Sequence, residues 1–108
     1  EKDFGLVFLG GKYLATYARL KSEGAWNTTI ESGGKYIPYK ASDEMIKCAE
    51  KAQSLFNLDF TCVDIAETDE GMFVFEVSAF GGFRGLMEAN GIDAANLYVD
   101  YVMEKIKS

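Results

Sequence analysis

Two strand-like segments, separated by a short polar turn, constrain the fold of this chain most strongly. Residues 59–67 read DFTCVDIAE, residues 72–78 read MFVFEVS, and residues 68–71 between them read TDEG. Short runs of this kind, rich in aromatic and β-branched residues, are typical of strands, and a short polar segment that ends in glycine is typical of a hairpin turn. We therefore predict an antiparallel hairpin over residues 59–78.

Turn residues and helix caps divide the rest of the chain into regular elements. Ser42 and Asp93 are the predicted N-caps of two helices, because short polar side chains accept hydrogen bonds from the free backbone N–H groups at a helix start. The other predicted strands are residues 5–9, 13–21 and 35–39, and the predicted turn and loops are residues 10–12, 22–34 and 79–85.

Apolar residues recur at helical spacing after each cap. The predicted buried stripes are Met45, Ala49, Ala52 and Phe56 on the first helix, and Ala95, Val99, Val102 and Ile106 on the second. A stripe of this kind packs one face of a helix against another layer. The chain is therefore predicted to form one α+β domain over residues 1–108, in which an antiparallel sheet packs against two helices.

The composition excludes several classes of function. The formal net charge of −6 argues against nucleic-acid binding, which requires a basic surface. The chain contains no histidine, so mechanisms that use a histidine base or a histidine metal ligand are excluded as well. No apolar segment is long enough to cross a bilayer. Any chemistry must therefore come from carboxylates, hydroxyls, arginine and lysine.

The cysteines and the N-terminus bear on the cellular setting. Cys48 and Cys62 have no metal-ligand spacing, and we interpret them as core thiols of a cytoplasmic protein rather than as a disulfide. The sequence begins at Glu1, without an initiator methionine or a signal-peptide pattern. We interpret the chain as a segment of a longer polypeptide, which leaves room for an oligomer of the parent protein.

The predicted hairpin brings two acidic residues together. Asp64 shares a face of its strand with Cys62, and Glu76 shares a face with Met72 and Val74. If the turn centres near residue 70, the two acids lie opposite each other with Cβ atoms roughly 5 Å apart. A divalent cation would offset their repulsion, since carboxylate oxygens are the ligands that Mg²⁺ prefers. Hydrated acids at the rim of the sheet are the alternative that hairpin geometry leaves open.

Several short motifs follow one another along the chain. They are ATYAR at residues 15–19, EGAWNTT at 23–29, GG at 33–34, VDI at 63–65, FVFEVS at 73–78, FGGF at 80–83 and GID at 91–93. In this order and spacing they resemble the ATP-grasp superfamily, and they are most similar to the RimK-like glutamate ligases. The resemblance extends over nearly the whole chain without a gap.

The resemblance implies an ATP-dependent ligase. In such enzymes ATP phosphorylates a carboxylate, and an amine attacks the acyl phosphate to form an amide or peptide bond. The expected cofactors are ATP and Mg²⁺, with Mn²⁺ as a substitute. The expected substrates are a small-molecule or peptide carboxylate and the amine of glutamate or a similar amino acid. Only the C-terminal lobe is matched, since the central and N-terminal lobes of the family do not fit within 108 residues.

The resemblance also assigns roles to individual residues. Asp64 and Glu76 match the family's metal-binding acids, with Glu76 as the ligand that bridges two ions. Ser78 occupies the position of a third metal ligand, where the family usually has asparagine. Arg19 matches a catalytic basic position near the transferred phosphate, and an arginine on the exposed face of a strand is the alternative.

Further positions are expected to contact the nucleotide. Asp3 matches an acid near the nucleotide, with an exposed terminal residue as an equal alternative. Asn27, Thr28 and Thr29 match a loop that contacts the nucleotide phosphates, but the family's asparagine falls at the last of these positions. Gly5 lies where the family commonly has a basic residue. These differences from the family pattern lie mainly at the proposed metal and nucleotide site.

The sequence is compatible with three functions. The first is a segment of an active carboxylate–amine ligase. The second is a non-catalytic ATP- or metal-binding module, in which Ser78, Thr29 and Gly5 record lost catalysis. The third is an α+β interaction domain without a ligand, which the inward-facing acid pair beside a glycine loop argues against. Lysines and a phosphate-covering glycine loop immediately upstream in the parent polypeptide would favour the first function over the second.

Overall fold

One antiparallel sheet organises the molecule. The structure is a computed structural model that describes residues 2–20, 35–79 and 83–107. The strands are β1 (Lys2–Leu9), β2 (Lys12–Leu20), β3 (Lys35–Pro38), β4 (Phe60–Thr68) and β5 (Gly71–Ala79). They form a sheet in the order β3-β2-β1-β4-β5, and every neighbouring pair is antiparallel.

Helices cover both faces of this sheet. They are α1 (Asp43–Ser54), α2, which is α-helical over Phe83–Gly85 and π-helical over Leu86–Asn90, and α3 (Ala94–Lys107). The α+β prediction is confirmed, except that the predicted loop at residues 79–85 ends earlier, because α2 begins at Phe83. Of the helices in the described ranges, none is long and apolar enough to span a membrane.

The two faces of the sheet have separate cores. The face toward α1 buries Phe4, Leu6, Phe8, Ala18, Met45, Ala49, Val63 and Ile65. The opposite face, toward α2 and α3, buries Val7, Tyr17, Phe60, Cys62, Leu86 and Ala94. Since side chains alternate along a strand, the second face also carries Asp3, Gly5, Arg19 and Asp64.

The predicted helix caps and the first turn are confirmed. The Oγ atom of Ser42 accepts a 3.1 Å hydrogen bond from the backbone N–H of Met45. The Oδ1 atom of Asp93 accepts a 3.2 Å bond from the N–H of Asn96. The glycine pair at residues 10–11 has φ values of +61° and +82°, which suit the tight turn between β1 and β2.

The predicted stripe of the first helix is confirmed at three of its four positions. Met45 and Ala49 are buried, and Ala52 packs against the same core. Phe56 is instead 54% exposed, because α1 ends at Ser54 and the residue lies beyond the helix.

The predicted stripe of the last helix is wrong at three of its four positions, since Ala95, Val99 and Ile106 are exposed and Val102 is half-buried. Val99 and Ile106 are 56% and 71% exposed, whereas Ala94 is buried. The inward face runs through Ala94 and Tyr98, whose ring lies 5.9 Å from that of Phe60. A search for aliphatic residues at helical spacing does not detect such a face, because a tyrosine can bury its ring while its hydroxyl stays near water.

Candidate metal and phosphate site

A β-bulge determines which residue of β5 lies opposite Asp64. The hairpin turn pairs Thr68 with Gly71, and uninterrupted pairing from there would place Asp64 opposite Phe75. A bulge next to Asp64 adds one residue to β5, so that Asp64 lies opposite Glu76. The predicted pairing of the two acids is therefore confirmed, but it depends on the bulge as well as on the turn.

The bulge also divides β5 between the two faces of the sheet. Glu76 and Ser78 lie on the face of Asp64, whereas Val74 pairs with the buried Ile65 of the α1 core. Met72 packs against that same core. The prediction that Met72 and Val74 share a face with Glu76 is therefore wrong, because the extra residue reverses the alternation along β5.

An ion pair connects the candidate catalytic arginine to the acid pair. The Nη2 atom of Arg19 donates a 2.8 Å hydrogen bond to Oδ1 of Asp64, and the guanidinium crosses β1 to reach it. Asp64 is 4% exposed, and the side chain of Arg19 is 17% exposed. The alternative of an exposed strand arginine is therefore wrong, since Arg19 is held against the buried acid.

A buried tyrosine lies beside this ion pair. The ring of Tyr17 is enclosed between two glycines: a Cβ atom at Gly5 would lie 2.5 Å from its hydroxyl oxygen, and one at Gly85 would lie 2.5 Å from its Cζ. Its hydroxyl is 3.5 Å from the Sγ of Cys62, which is 3.8 Å from Oδ1 of Asp64. We did not predict Tyr17, although a glycine inside a strand is a known signal of close approach by another group.

The electrostatic balance at Asp64 favours a nearby cation. Burial raises the pKa of the Asp64 carboxyl above its usual range, the ion pair with Arg19 lowers it, and the facing Glu76 raises it further. The net shift is upward, so the ionised form of Asp64 carries a free-energy cost. A divalent cation close to both carboxylates would reduce that cost.

Asp3 lies on the same face, inside the sheet. It is directly opposite Arg19 in the β1–β2 ladder and is 5% exposed. Its Oδ1 atom is buried and has no hydrogen-bond partner among the described residues. The alternative of an exposed terminal acid is therefore wrong, since β1 begins at Lys2 and carries Asp3 into the fold.

The metal-ligand prediction rests on a small set of donors. Asp64, Glu76 and Ser78 share one face of the β4–β5 hairpin, and Ser78 lies opposite Cys62. In the part of the chain that the structure describes, no three cysteine or acidic side chains are grouped so that they could hold a metal by themselves. Two carboxylates and a hydroxyl suit Mg²⁺, which usually retains several waters and binds substrate phosphates. Residues 27–29, predicted to contact phosphate, lie outside the described residues.

The buried thiol beside this site should make stability sensitive to alkaline pH. Cys48 and Cys62 are both free, as predicted, and burial together with the charge of Asp64 raises the pKa of Cys62 to about 12. The unfolded thiol titrates near 9.0, so above that pH the unfolded chain binds fewer protons than the folded chain. Stability should therefore be fully present below pH 9 and be lost as pH rises toward about 12. Burial also raises the pKa of Tyr17, which acts in the same direction.

Urea unfolding between pH 8 and 11 measures this dependence. The Cys62→Ala variant should lose less stability over this interval, because one of the shifted groups is gone. Cys48→Ala is the matched control and should behave as the wild type. Equal slopes for Cys62→Ala and the wild type would assign the dependence to other groups.

Comparison with models of protein families shows which family this chain matches. The model of the RimK-like ATP-grasp domain matches residues 1–102. The chain belongs to the RimK-like ATP-grasp family. A probable alpha-L-glutamate ligase from Aliivibrio salmonicida is 32% identical over 100 residues, which are 93% of this chain and 33% of the relative. One from Thioalkalivibrio sulfidiphilus is 30% identical over 105 residues, 97% of this chain and 35% of the relative.

Solved structures share the fold of this RimK-like domain. The ATP-grasp ligase PsnB, complexed with a minimal precursor, Mg and ADP, has a TM-score of 0.74 at 20% identity, covering 99% of this chain and 32% of PsnB. D-alanine–D-alanine ligase from Bacillus anthracis, complexed with ATP, has a TM-score of 0.57 at 17% identity, covering 90% of this chain and 35% of that ligase. The chain thus spans about a third of the length of the relatives it matches.

Proposed function

We propose that this chain is the metal- and ATP-phosphate-binding lobe of an ATP-dependent carboxylate–amine ligase. The observation that carries the proposal is the position of Asp64 opposite Glu76 on one face of the sheet, with Arg19 in contact with Asp64. This arrangement provides two anionic ligands and one cationic group side by side. A nucleotide with its metal requires the same two kinds of group, since the metal binds carboxylates and the phosphates bind cations.

Each group has a defined task in the proposed reaction. Asp64, Glu76 and Ser78 would hold Mg²⁺, or Mn²⁺ in its place, and the bound ion supplies neutralisation of phosphate charge. The guanidinium of Arg19 stabilises the negative charge that develops on the transferred phosphoryl group. Asp3 and residues 27–29 contribute the nucleotide contacts that the family resemblance implies.

The proposed chemistry is amide formation through an acyl phosphate. The γ-phosphoryl group of ATP passes to a substrate carboxylate, ADP remains, and an amine displaces phosphate from the acyl carbon. Several relatives are named as probable alpha-L-glutamate ligases, which supports glutamate or a similar amino acid as the amine donor. The rest of a longer polypeptide would supply the other side of the nucleotide cleft, because the chain spans about a third of these relatives. The free thiols Cys48 and Cys62 support a cytoplasmic setting for that protein.

We expect the longer polypeptide that contains this lobe to convert ATP to ADP and phosphate only when both substrates are present. The assay offers Mg-ATP, glutamate as the amine and a peptide with a free C-terminal carboxylate, and it follows the ADP and the amide product together. Formation of AMP and pyrophosphate, or ATP hydrolysis that is insensitive to the amine, would contradict the acyl-phosphate route. The 108-residue chain alone is the control. It should bind ATP weakly and only with Mg²⁺, because we propose that the longer polypeptide supplies the other side of the cleft.

A non-catalytic ATP- or metal-binding module is the second candidate function. It is favoured by Gly5, which has no basic side chain to offer, and by Ser78, whose hydroxyl has a shorter reach than an asparagine oxygen. The same assay separates the two functions. A module would bind Mg-ATP in the longer polypeptide without forming ADP, whatever carboxylate and amine are supplied.

A further inference from the structure

We propose that Arg19 is a built-in counter-ion that a divalent cation must displace from Asp64, and that Asp3 is the carboxylate that receives Arg19 when this happens. The inference rests on the proposed function, because it concerns the loading of the same site. It adds an order of events: the metal first exchanges with a side chain of the protein, and the arginine then becomes available to an anion.

Arg19 and an incoming metal would compete for Asp64. Arg19 contacts Oδ1 of Asp64 at 2.8 Å, and both side chains are largely shielded from water, at 17% and 6% exposure. Arg19 already supplies one positive charge beside Asp64, so an incoming metal competes with it for the same carboxylate. The guanidinium also occupies Oδ1, one of the two oxygens that Asp64 can offer to a metal. Because the metal and the guanidinium carry like charges at one carboxylate, they repel each other, and we expect the metal to displace Arg19.

Asp3 is positioned to receive the guanidinium that the metal displaces. Asp3 is the direct cross-strand neighbour of Arg19, and its Oδ1 atom is buried without a hydrogen-bond partner among the described residues. A buried carboxylate oxygen without a donor is unfavourable, so any donor that arrives there gains free energy. Asp64 lies one strand further away, on β4. Arg19 thus has one carboxylate that it uses and a nearer one in reserve.

The exchange couples metal binding to anion binding. While Arg19 is paired with Asp64, its guanidinium is committed to a metal ligand. Paired with Asp3, it retains further N–H donors for phosphate oxygens, because a guanidinium has five of them in a planar fork. A divalent cation therefore prepares the site for a polyphosphate by moving Arg19. The two ligands should bind with positive cooperativity.

The test is Mn²⁺ binding to the 108-residue chain without nucleotide at pH 8, measured by titration calorimetry and by electron paramagnetic resonance of free Mn²⁺. Arg19→Met should bind Mn²⁺ about tenfold more tightly than the wild type, because the competing cation is gone. Asp3→Asn should bind it at least about threefold more weakly, because Arg19 loses its second partner. In the Arg19→Met background, Asp3→Asn should have no further effect.

The double-mutant cycle separates the possible outcomes. An equal loss from Asp3→Asn in both backgrounds would show a general charge effect and overturn the transfer of Arg19. Wild-type binding that Arg19→Met leaves unchanged or weakens would overturn the competition while leaving the proposed metal site intact. Absence of Mn²⁺ binding in every variant would overturn that metal site and this inference with it.

Two further variants keep the test decisive. Arg19→Gln retains an N–H donor for Asp64 without the charge, and it should show the same tightening if Arg19→Met does not fold. Arg84→Met is the matched control, since Arg84 forms an exposed pair with Glu88 on α2. It should leave Mn²⁺ affinity unchanged. Circular dichroism establishes that each variant is folded before its affinity is compared.

Discussion

Replacing Glu76 with glutamine is expected to abolish the stabilisation of the chain by divalent cations and to leave the fold intact. Two carboxylates, a hydroxyl and water should bind Mn²⁺ with millimolar affinity, or about 4 kcal/mol. At a metal concentration of about ten times Kd, the wild type should gain about 1.4 kcal/mol and its Tm should rise by about 8 °C. Glu76→Gln should lack this rise. It should be slightly more stable without metal, because Glu76 no longer opposes the ionisation of Asp64.

The measurement is Tm against Mn²⁺ concentration for the wild type and for two glutamine variants. Glu50 is exposed on α1, on the other side of the sheet, so Glu50→Gln removes a charge without touching the site. It should respond to Mn²⁺ as the wild type does. If Glu76→Gln keeps the response, or if it destabilises the metal-free chain by several kcal/mol, the acid pair has a structural role instead.

In the longer ligase that we propose, the effect of the same substitution on turnover should be larger. Neutralisation of phosphate charge by a metal ion contributes several kcal/mol to the transition state, so its loss should lower kcat more than about 100-fold. The fold and the melting temperature should stay within the range of the Glu50→Gln control. Full activity of Glu76→Gln would remove Glu76 from the metal site.

Replacing Gly5 with alanine is expected to destabilise the chain by about 3 kcal/mol, at the upper end of the usual cost of overpacking. A Cβ at this position would lie 2.5 Å from the hydroxyl oxygen of Tyr17. The ring has no room to move away, because Gly85 lies on its other side and the ring of Tyr36 is 5.1 Å from it, centroid to centroid. For a domain of this size the loss corresponds to a fall in Tm of about 15 °C.

A double-mutant cycle identifies the source of this loss. In a Tyr17→Ala background, Gly5→Ala should cost little, because the ring that it meets is gone. Gly11→Ala is a control for backbone strain alone, since its φ is +82° and nothing lies within 4 Å of the added atom. A large cost of Gly5→Ala in both backgrounds would show that the strand itself, and not Tyr17, requires glycine. Thermal unfolding of the four chains of the cycle decides between these outcomes.

The absence of a basic side chain at residue 5 has a structural counterpart in Tyr17. Gly5 lies between Tyr17 and Asp64 in the pairing of β2, β1 and β4. The tyrosine ring fills the space above the glycine, so a longer side chain at residue 5 requires the ring to leave. Gly5 and Tyr17 lie twelve positions apart in the sequence, and the register of the sheet brings them into contact.

Local sequence signals predicted much of the fold. Interactions within a few residues determine the hairpin turn at residues 68–71 and the caps at Ser42 and Asp93, so these features can be predicted directly from the sequence. The buried face of the last helix differs from the predicted stripe, because that face is formed partly by tyrosine. A hydrophobic pattern does not show which side of a mixed helix meets the sheet.

The sequence by itself therefore indicated the five strands, the caps and the identity of the acid pair, although β1 begins at Lys2 and not at Gly5 as predicted. The tertiary structure decided how these groups act on each other. The bulge at Phe75, the burial of Asp3 and the contact of Arg19 with Asp64 depend on how strands far apart in sequence are aligned. A one-residue change in that alignment moves every following side chain to the other face. For this reason the residue types could indicate a cation site, whereas only the folded sheet could show that an arginine of the chain already contacts one of its ligands.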